Sequence, residues 1–319
     1  MSRPVHTFAV PGLSTRFPLT ISSDTYRDEM TNTSICAGRQ EKMIKRIAFQ
    51  GEPGAYSHQA CVNTYPQMEA LPCRTFEDVI AAVHEGDAAL AMLPVENTTF
   101  GRVPDNHNLL PQSGLHIVAE AFVRVHINLL GVRGAQLGDI TSAMSHPMLL
   151  GQCREFLKRH AIQRVTGADT AGSARHVAEL GETKLAALAG DLAGDIYGLD
   201  VLARHIEDQG NNTTRFLVMG LDADLSRRGD HGMITTFVFQ VRNIPAALYK
   251  AMGGFATNGV NMTKLESYMV GGSFTATQFY ADIEGHPEDP NVRLALDELR
   301  YFTTMVKILG TYPADAARR

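Results

Sequence analysis

Hydrophobic and polar positions change period along this chain, and each change marks an element. A short apolar run at Arg46–Gln50 predicts a strand, residues 51–55 a glycine turn, and Ser57 onward a helix. This is the opening of an α/β unit. The turn lacks the third glycine of a dinucleotide fingerprint and the lysine of a P-loop, so its generic use is to aim backbone N–H groups at a ligand. Phe76, Val79, Ile80 and Val83 stand at helical spacing, and Thr75 and Asp78 at capping-box spacing before them. Residues 88–93 are wholly apolar and predict a buried strand, ended by "PVENTTFG". In "FVRVHINLL", Val123, Val125, Ile127 and Leu129 alternate with polar residues, which predicts one half-buried strand. "SHPMLLGQCREFLKRH" predicts one helix, with Pro147 in its first turn, Ser145 or His146 as cap, and an apolar stripe that includes Cys153. A helix start in "DTAGSARHVAELG", a strand in "KLAALAG", a helix in "DLAGDIYGL" and a strand after "NNTTR" complete an alternating, layered α/β region.

The pattern then changes. "LDADLSRRGDHG" is charged and aperiodic and predicts a linker. Beyond it come a strand ("MITTFVFQV"), a helix with Asn243 as N-cap and Pro245 in its first turn, two strands joined at Gly271-Gly272, a helix ("PNVRLALDELRYF") and a last strand. That β-α-β-β-α-β order predicts a ferredoxin-like split βαβ unit. At the other end, the first 42 residues mix Pro, Ser, Thr and Arg without period and contain no signal-peptide core. Asp24, Asp28, Glu29 and Glu41 argue against a transit peptide. The expectation is a disordered tail, or an upstream extension of the reading frame with Met43 as the working start.

Composition narrows the function. The chain has 319 residues, room for two domains, and a formal charge of −5, which argues against a nucleic-acid coat protein. Cys36, Cys61, Cys73 and Cys153 form no C-x-x-C pair and fit a reducing cytoplasm. No apolar run is long enough to span a bilayer. The 12 histidines show no H-E-x-x-H spacing, so neither a metal site nor a cofactor is expected.

Four polar clusters stand at predicted strand ends or helix starts, where α/β folds bind ligands: residues 51–57, 96–101, 145–152 and 211–216. Each also has a structural reading: a tight turn, a loop cap, a helix cap, and β-propensity residues entering a strand. Together they would surround one cleft lined with hydroxyls, amides, an imidazole and a guanidinium.

These same segments, "GEPGAYSHQA", "LPVENTTFGRV", "SHPMLLGQC", "AALAGDLAGDIYGL" and above all "NNTTRFLV", resemble the prephenate dehydratase family. "NIPAALYKAM" and "LESYMVGGSFTATQFYADIEG" are similar to its ACT regulatory domain. The resemblance runs from about Lys45 to Tyr312 in unbroken order. It implies a two-lobed, periplasmic-binding-protein-like α/β catalytic region over residues 45–222, a linker over 223–232 and an ACT domain over 233–313, after a disordered extension over 1–44. The implied reaction converts prephenate to phenylpyruvate with loss of water and carbon dioxide, without a cofactor, in a cytoplasmic homodimer or homotetramer inhibited by L-phenylalanine. Arogenate dehydratase and a non-catalytic amino-acid sensor are the rival readings.

The resemblance makes Thr214 the essential residue of a T-R-F triplet with Arg215 and Phe216. It puts Asn97 beside Glu96 in a P-[IV]-E-N motif, and Ser145, His146 and Gln152 in an S-H-P…Q-C motif. Ser57 falls in the first glycine turn, and Thr170 and Ser173 fall in a divergent "DTAGSA" segment. Asn243, Pro245, Ala246, Ala247, Leu248, Glu266 and Ser267 would form the phenylalanine site. There the family's G-A-L reads Ala246-Ala247-Leu248, and its E-S-R-P reads "ESYM". The chemistry suits these residue types. Aromatisation drives the reaction, so the enzyme needs only to hold two carboxylates and assist a departing hydroxide. Threonine is a poor acid, so Thr214 is expected to donate a hydrogen bond rather than a whole proton. Arg215, the glycine-turn amides and the helix at Pro147 are the groups available to hold the dianion, with bracing of the loop as the alternative role for Arg215. His146 is the other candidate proton donor, or only the helix cap.

Overall fold

The computed structural model describes residues 45–226, 232–269 and 276–318. The expected N-terminal extension, part of the linker and the Gly271-Gly272 turn lie outside them. The first lobe contains β1 (Arg46–Gln50), α1 (Tyr56–Thr64), β2 (Glu69–Cys73), α2 (Phe76–His84), β3 (Leu90–Asn97), β4 (Gly101–Arg102), α3 (Pro104–Leu109) and β5 (His116–Arg124). The second lobe follows: β6 (Asn128–Gly131), β7 (Ser142–Ser145), α4 (Pro147–Gln152), α5 (Arg154–Arg159), β8 (Gln163–Thr166), α6 (Thr170–Leu180), β9 (Leu185–Ala189), α7 (Asp191–Tyr197) and β10 (Asp200–Ala203). Its strands form a separate sheet in the order β10-β6-β9-β7-β8. The chain then returns as β11 (Thr213–Gly220), which inserts antiparallel between β3 and β5. The C-terminal unit is β12 (Met233–Val241), α8 (Ala247–Thr257), β13 (Met262–Met269), β14 (Ala276–Glu284), α9 (Pro290–Phe302) and β15 (Thr303–Pro313).

Most elements lie where the hydrophobic pattern predicts, and the departures have local causes. Helix α2 starts at the predicted capping box: Thr75 Oγ1 accepts from Asp78 N and Asp78 accepts from Thr75 N. Strand β3 runs on through Pro94 to Asn97. The proline is tolerated because the pairing with β11 shifts register there. The "FVRVHINLL" segment is two strands rather than one, because the chain leaves the first sheet at Arg124 and joins the second at Asn128. The "SHPMLLGQCREFLKRH" helix breaks at buried Cys153, whose ψ of 23 is not helical. Helix α8 begins at Ala247, so Asn243 is not its cap; that position is Ala246, held at φ +60. Glycine is the residue best suited to that conformation.

The C-terminal unit does not stand apart. Its four strands, in the order β13-β14-β12-β15, continue into the first lobe's sheet through β15 and β5. The junction is the parallel pair Gly310↔Ile117. A Cβ at Gly310 would lie 2.1 Å from the Ile117 carbonyl oxygen, so only glycine lets the backbones meet. Beside this seam, His107 is 1% exposed and bonds both parts. Its Nε2 lies 3.0 Å from the Val95 carbonyl, which can only accept, so Nε2 carries the hydrogen; Nδ1 therefore accepts from the Tyr268 hydroxyl at 3.0 Å. Burial, reinforced by the Lys264 charge, lowers the His107 pKa from 6.5 to about 4.

Two outcomes follow. Gly310→Ala should lower stability by about 1–3 kcal/mol or more in denaturant unfolding, because the added methyl overpacks the seam; an unchanged midpoint would show that the seam is loose. The unfolded chain takes up the His107 proton first as pH falls, so stability from this group is complete above pH 6.5 and is lost between 6.5 and about 4. The loss should reach roughly 3 kcal/mol. His107→Gln should flatten that part of the stability–pH curve, and superimposable pH dependences would refute the assignment.

Candidate active site

Alternation along two neighbouring strands divides the predicted site residues. On β3 and β11, Asn97 pairs with Thr214 and Glu96 with Arg215. Successive side chains of a strand point to opposite faces. One cross-strand pair therefore faces the second lobe, which Asn97 reaches through Asn212 and Gln152, and the next faces the C-terminal unit.

On the cleft side, Asn97 Oδ1 accepts from the backbone N–H groups of Thr99 (2.9 Å) and Phe100 (3.1 Å). Those donors fix the orientation of the amide. Its Nδ2 then donates to Thr214 Oγ1 at 2.9 Å and to Asn212 Oδ1 at 2.5 Å. Asn212 Nδ2 donates in turn to Gln152 Oε1 at 3.0 Å. The relay has two consequences. Thr214 Oγ1 is an acceptor within it, so the hydroxyl hydrogen remains to be donated elsewhere. Gln152 Nε2 is buried and finds no acceptor among the described residues. A buried N–H₂ group without a partner is costly and marks a place for an acceptor. Gln152 and Asn212 line a cavity of about 380 Å³, with Phe100, Pro147 and Arg154 on its wall. Its size suits a small ligand.

A second cavity of about 600 Å³ lies against the glycine turn and is lined by Ser57, Arg74, His146 and Thr170. Gly51 and Gly54 both have positive φ, at +118 and +92, and a Cβ at Gly54 would lie 2.8 Å from Ala193 Cα of the second lobe. These glycines make the turn and also let the lobes touch. Tyr197 reaches across to the Pro53 carbonyl at 2.7 Å. His146 is the N-cap of α4, its Nδ1 accepting from Met148 N at 3.3 Å. That helix has only 6 residues, so its N-terminus is a weaker anion anchor than expected.

The other predicted residues lie elsewhere. Ser145 is fully buried and donates to the Leu188 carbonyl at 2.7 Å. Ser173 donates to the Asp169 carbonyl at 2.5 Å, within the first turn of its helix. Phe216 is 1% exposed in the core against Phe49 and Met92.

Of the two roles open to Arg215, the structure shows bracing: the side chain does not face the cleft. It is 3% exposed and turned into the contact with the C-terminal unit. Its Nε donates to Glu120 (2.8 Å), Nη1 to Glu96 and Asp282 (both 2.7 Å), and Nη2 to the Tyr312 hydroxyl (2.8 Å). Glu96 also pairs with Lys264, so it too belongs to this contact. Arg318 adds a second guanidinium on Glu120 and Asp282. Burial opposes ionisation of Asp282, but Arg215, the Thr236 hydroxyl and Arg318 outweigh it and hold the carboxyl below its ordinary 3.8. Burial likewise opposes the Arg215 charge, and Tyr312, Asp282, Tyr280 and Glu120 keep it protonated.

The residues expected to bind an inhibitor divide as well. Asn243, Pro245 and Ala246 are exposed, while Ala247 and Leu248, in the first turn of α8, pack against the core. Ser267 is exposed, but Glu266 points toward Lys264 and Arg102. Tyr268, which stands where the family has arginine, is buried against His107, with the Arg102 guanidinium 5.8 Å over its ring. Sequence reasoning included Asn212 in a cleft cluster without giving it a role, and missed Arg74 and Arg154 as cavity residues. Asn212 lay directly before the T-T-R-F run, and Arg74 just after a strand end, where ligands bind in such sheets.

Comparison with solved structures puts this architecture among two-lobed dehydratases. The prephenate dehydratase of Arthrobacter aurescens in complex with L-Phe superposes with a TM-score of 0.78 at 29% identity, over 86% of this chain and 91% of that one. The prephenate dehydratase family model matches residues 47–224, and the chain belongs to that family. A bifunctional N-acyl-homoserine lactone acylase/prephenate dehydratase of Komagataeibacter europaeus is 50% identical over 86% of this chain and 97% of its own length. An arogenate dehydratase/prephenate dehydratase of Arabidopsis thaliana is 37% identical over 91% of this chain and 77% of its own. No helix among the described residues is long and apolar enough to cross a membrane.

Asp282→Asn should expose the dependence of the cleft on the buried ion pairs. Loss of one partner should destabilise the protein by about 3–5 kcal/mol. It should also lower turnover by roughly tenfold or more in folded protein, because Arg215 and Thr214 share one stretch of backbone. A folded variant with unchanged turnover would show that the two faces of β11 are independent.

Proposed function

We propose that the cleft converts prephenate to phenylpyruvate, with loss of water and carbon dioxide, as a carbon–oxygen lyase. The observation that carries this reading is the fixed orientation of Asn97, which leaves the Thr214 hydroxyl as a donor. As the ring C–O bond breaks, Thr214 gives a hydrogen bond to the departing oxygen. Departure of that oxygen and of the carboxylate as carbon dioxide leaves an aromatic ring, so no covalent intermediate is needed. Gln152 and Arg154 line the cavity and supply donors for substrate carboxylates, with Arg74 and the glycine-turn amides on the neighbouring wall. Phe100 supplies an apolar wall for the ring. His146 caps its helix and positions the cleft wall.

Regulation by L-phenylalanine at the C-terminal unit is part of the same reading, supported by the named ligand of the Arthrobacter relative. Asn243, Pro245, Ala246 and Ser267 are exposed there for such contacts. A homodimer or homotetramer with a cytoplasmic location completes the proposal.

The test is phenylpyruvate formation from prephenate, with and without L-phenylalanine. Arogenate and an N-acyl-homoserine lactone should be assayed beside it, because relatives carry those activities in their names. Thr214→Val should lower kcat by roughly 10²–10³, the scale for losing one transition-state donor. Thr213, which lines a pocket on the face of Arg215 and Lys264, should tolerate the same change far better. Near-wild-type turnover by folded Thr214→Val would falsify the assignment, and equal losses at both positions would mean that the strand entrance is merely fragile.

A further inference from the structure

The lobes are joined by two crossings, residues 125–127 outward and 204–212 on return. They are tied at Ile206 N to the Ile127 carbonyl (2.9 Å) and at Val125 N to the Asn212 carbonyl (2.9 Å). Three side chains gather where they meet. His126, from the first crossing, stacks on His205, from the second, with ring centroids 4.1 Å apart and planes 11° apart. Glu207 projects between the crossings, its Oε2 accepting from Ile127 N at 2.9 Å and its Oε1 lying 3.1 Å from His126 Nδ1.

Two features of this cluster point to a cation. The Glu207 side chain is only 5% exposed, yet no lysine or arginine among the described residues pairs with it. A buried carboxylate requires a cation or a full set of donors to remain charged. The second feature is the backbone of His205. It is held at φ +50, a conformation few side chains favour, and its N–H donates to Asn128 Oδ1 at 3.1 Å. Asn128 is itself fully buried, so the strained residue is firmly anchored, and its imidazole is presented to His126.

We propose that His126, His205 and Glu207 form a divalent transition-metal site that clamps the two crossings. One ligand atom from each lies within 4.8 Å of the other two. Donors of one tetrahedral ion stand about 3.3 Å apart at ordinary bond lengths. Binding requires the stacked rings to open so that both in-plane lone pairs turn toward one ion, and the His126 side chain, 40% exposed, has room to swing. Two imidazoles and one carboxylate select zinc, cobalt, nickel or copper over magnesium or calcium. An ion held by both crossings restrains the lobes against each other. The spacing rules that excluded a metal could not see this site, because its ligands come from segments about 80 residues apart.

The test uses the full chain stripped with chelator and titrated with Zn²⁺ and Co²⁺ in a calorimeter, with Co²⁺ visible absorption as a second readout. The expected result is one saturable equivalent, a zinc-dependent rise in Tm, and cobalt bands characteristic of nitrogen and oxygen ligands. His205→Asn removes a ligand and keeps a residue that tolerates the left-handed backbone. Glu207→Gln keeps the shape and removes the charge. Each should weaken binding by roughly a hundredfold or more, beyond the loss seen when only an outer-shell partner of a ligand is removed. Absence of saturable binding overturns the proposal. So does wild-type affinity in both variants, which would assign binding to other histidines. If one variant fails to fold, as judged by circular dichroism, the other decides.

Discussion

The buried guanidinium of Arg215 is the interaction on which the rest of this structure depends. It satisfies Glu96, Glu120 and Asp282 at once and closes on the Tyr312 hydroxyl. Two of these partners come from the first lobe and two from the C-terminal unit. An arginine can serve here because its planar fork presents several donors in fixed directions and stays charged when buried. Remove any one carboxylate and a charge is left uncompensated in the interior. The shared sheet and the glycine seam at Gly310 carry the same joint in the backbone. The two parts are therefore packed as one body, and strain at either side of β11 reaches the other through a single peptide unit.

The cleft is governed by the same strands read on their other face. Backbone donors at Thr99 and Phe100 orient Asn97, Asn97 orients Thr214 and Asn212, and Asn212 orients Gln152. The site contains no strong acid or base in this relay. Preorganised donors suffice for a reaction driven by aromatisation, because their orientation is set before substrate arrives. Tyr268 follows the same economy: it lies on the inner face of β13, between exposed Ser267 and Met269, fills the joint and bonds a neutral histidine.

Much of this was legible in the chain. The capping box at Thr75, the helix at Thr170–Leu180, the strand at Leu185–Ala189 and the C-terminal β-α-β-β-α-β order all follow from local periodicity. Thr214 and Asn97, chosen together from the motifs, do bond each other, and Gln152 joins them through Asn212. Arg215 and Glu96, grouped with the cleft residues by motif, bond the C-terminal unit, as strand alternation separates each from its neighbour. Motif adjacency suggested a shared role, whereas the pleat gives consecutive residues opposite partners. The strand break at residues 125–127 was invisible because its alternation continues unbroken across the change of sheet.

The sequence by itself determined which elements form, since capping, periodicity and turn chemistry act over a few residues. It also determined the reactive inventory of hydroxyl, amides and arginine, and so the family. Only the tertiary structure decided which face of β11 meets the cleft, that the C-terminal sheet merges with the first lobe, and that His126, His205 and Glu207 converge. Those outcomes depend on pairings between residues far apart in the chain, and long-range contacts leave no local period to read.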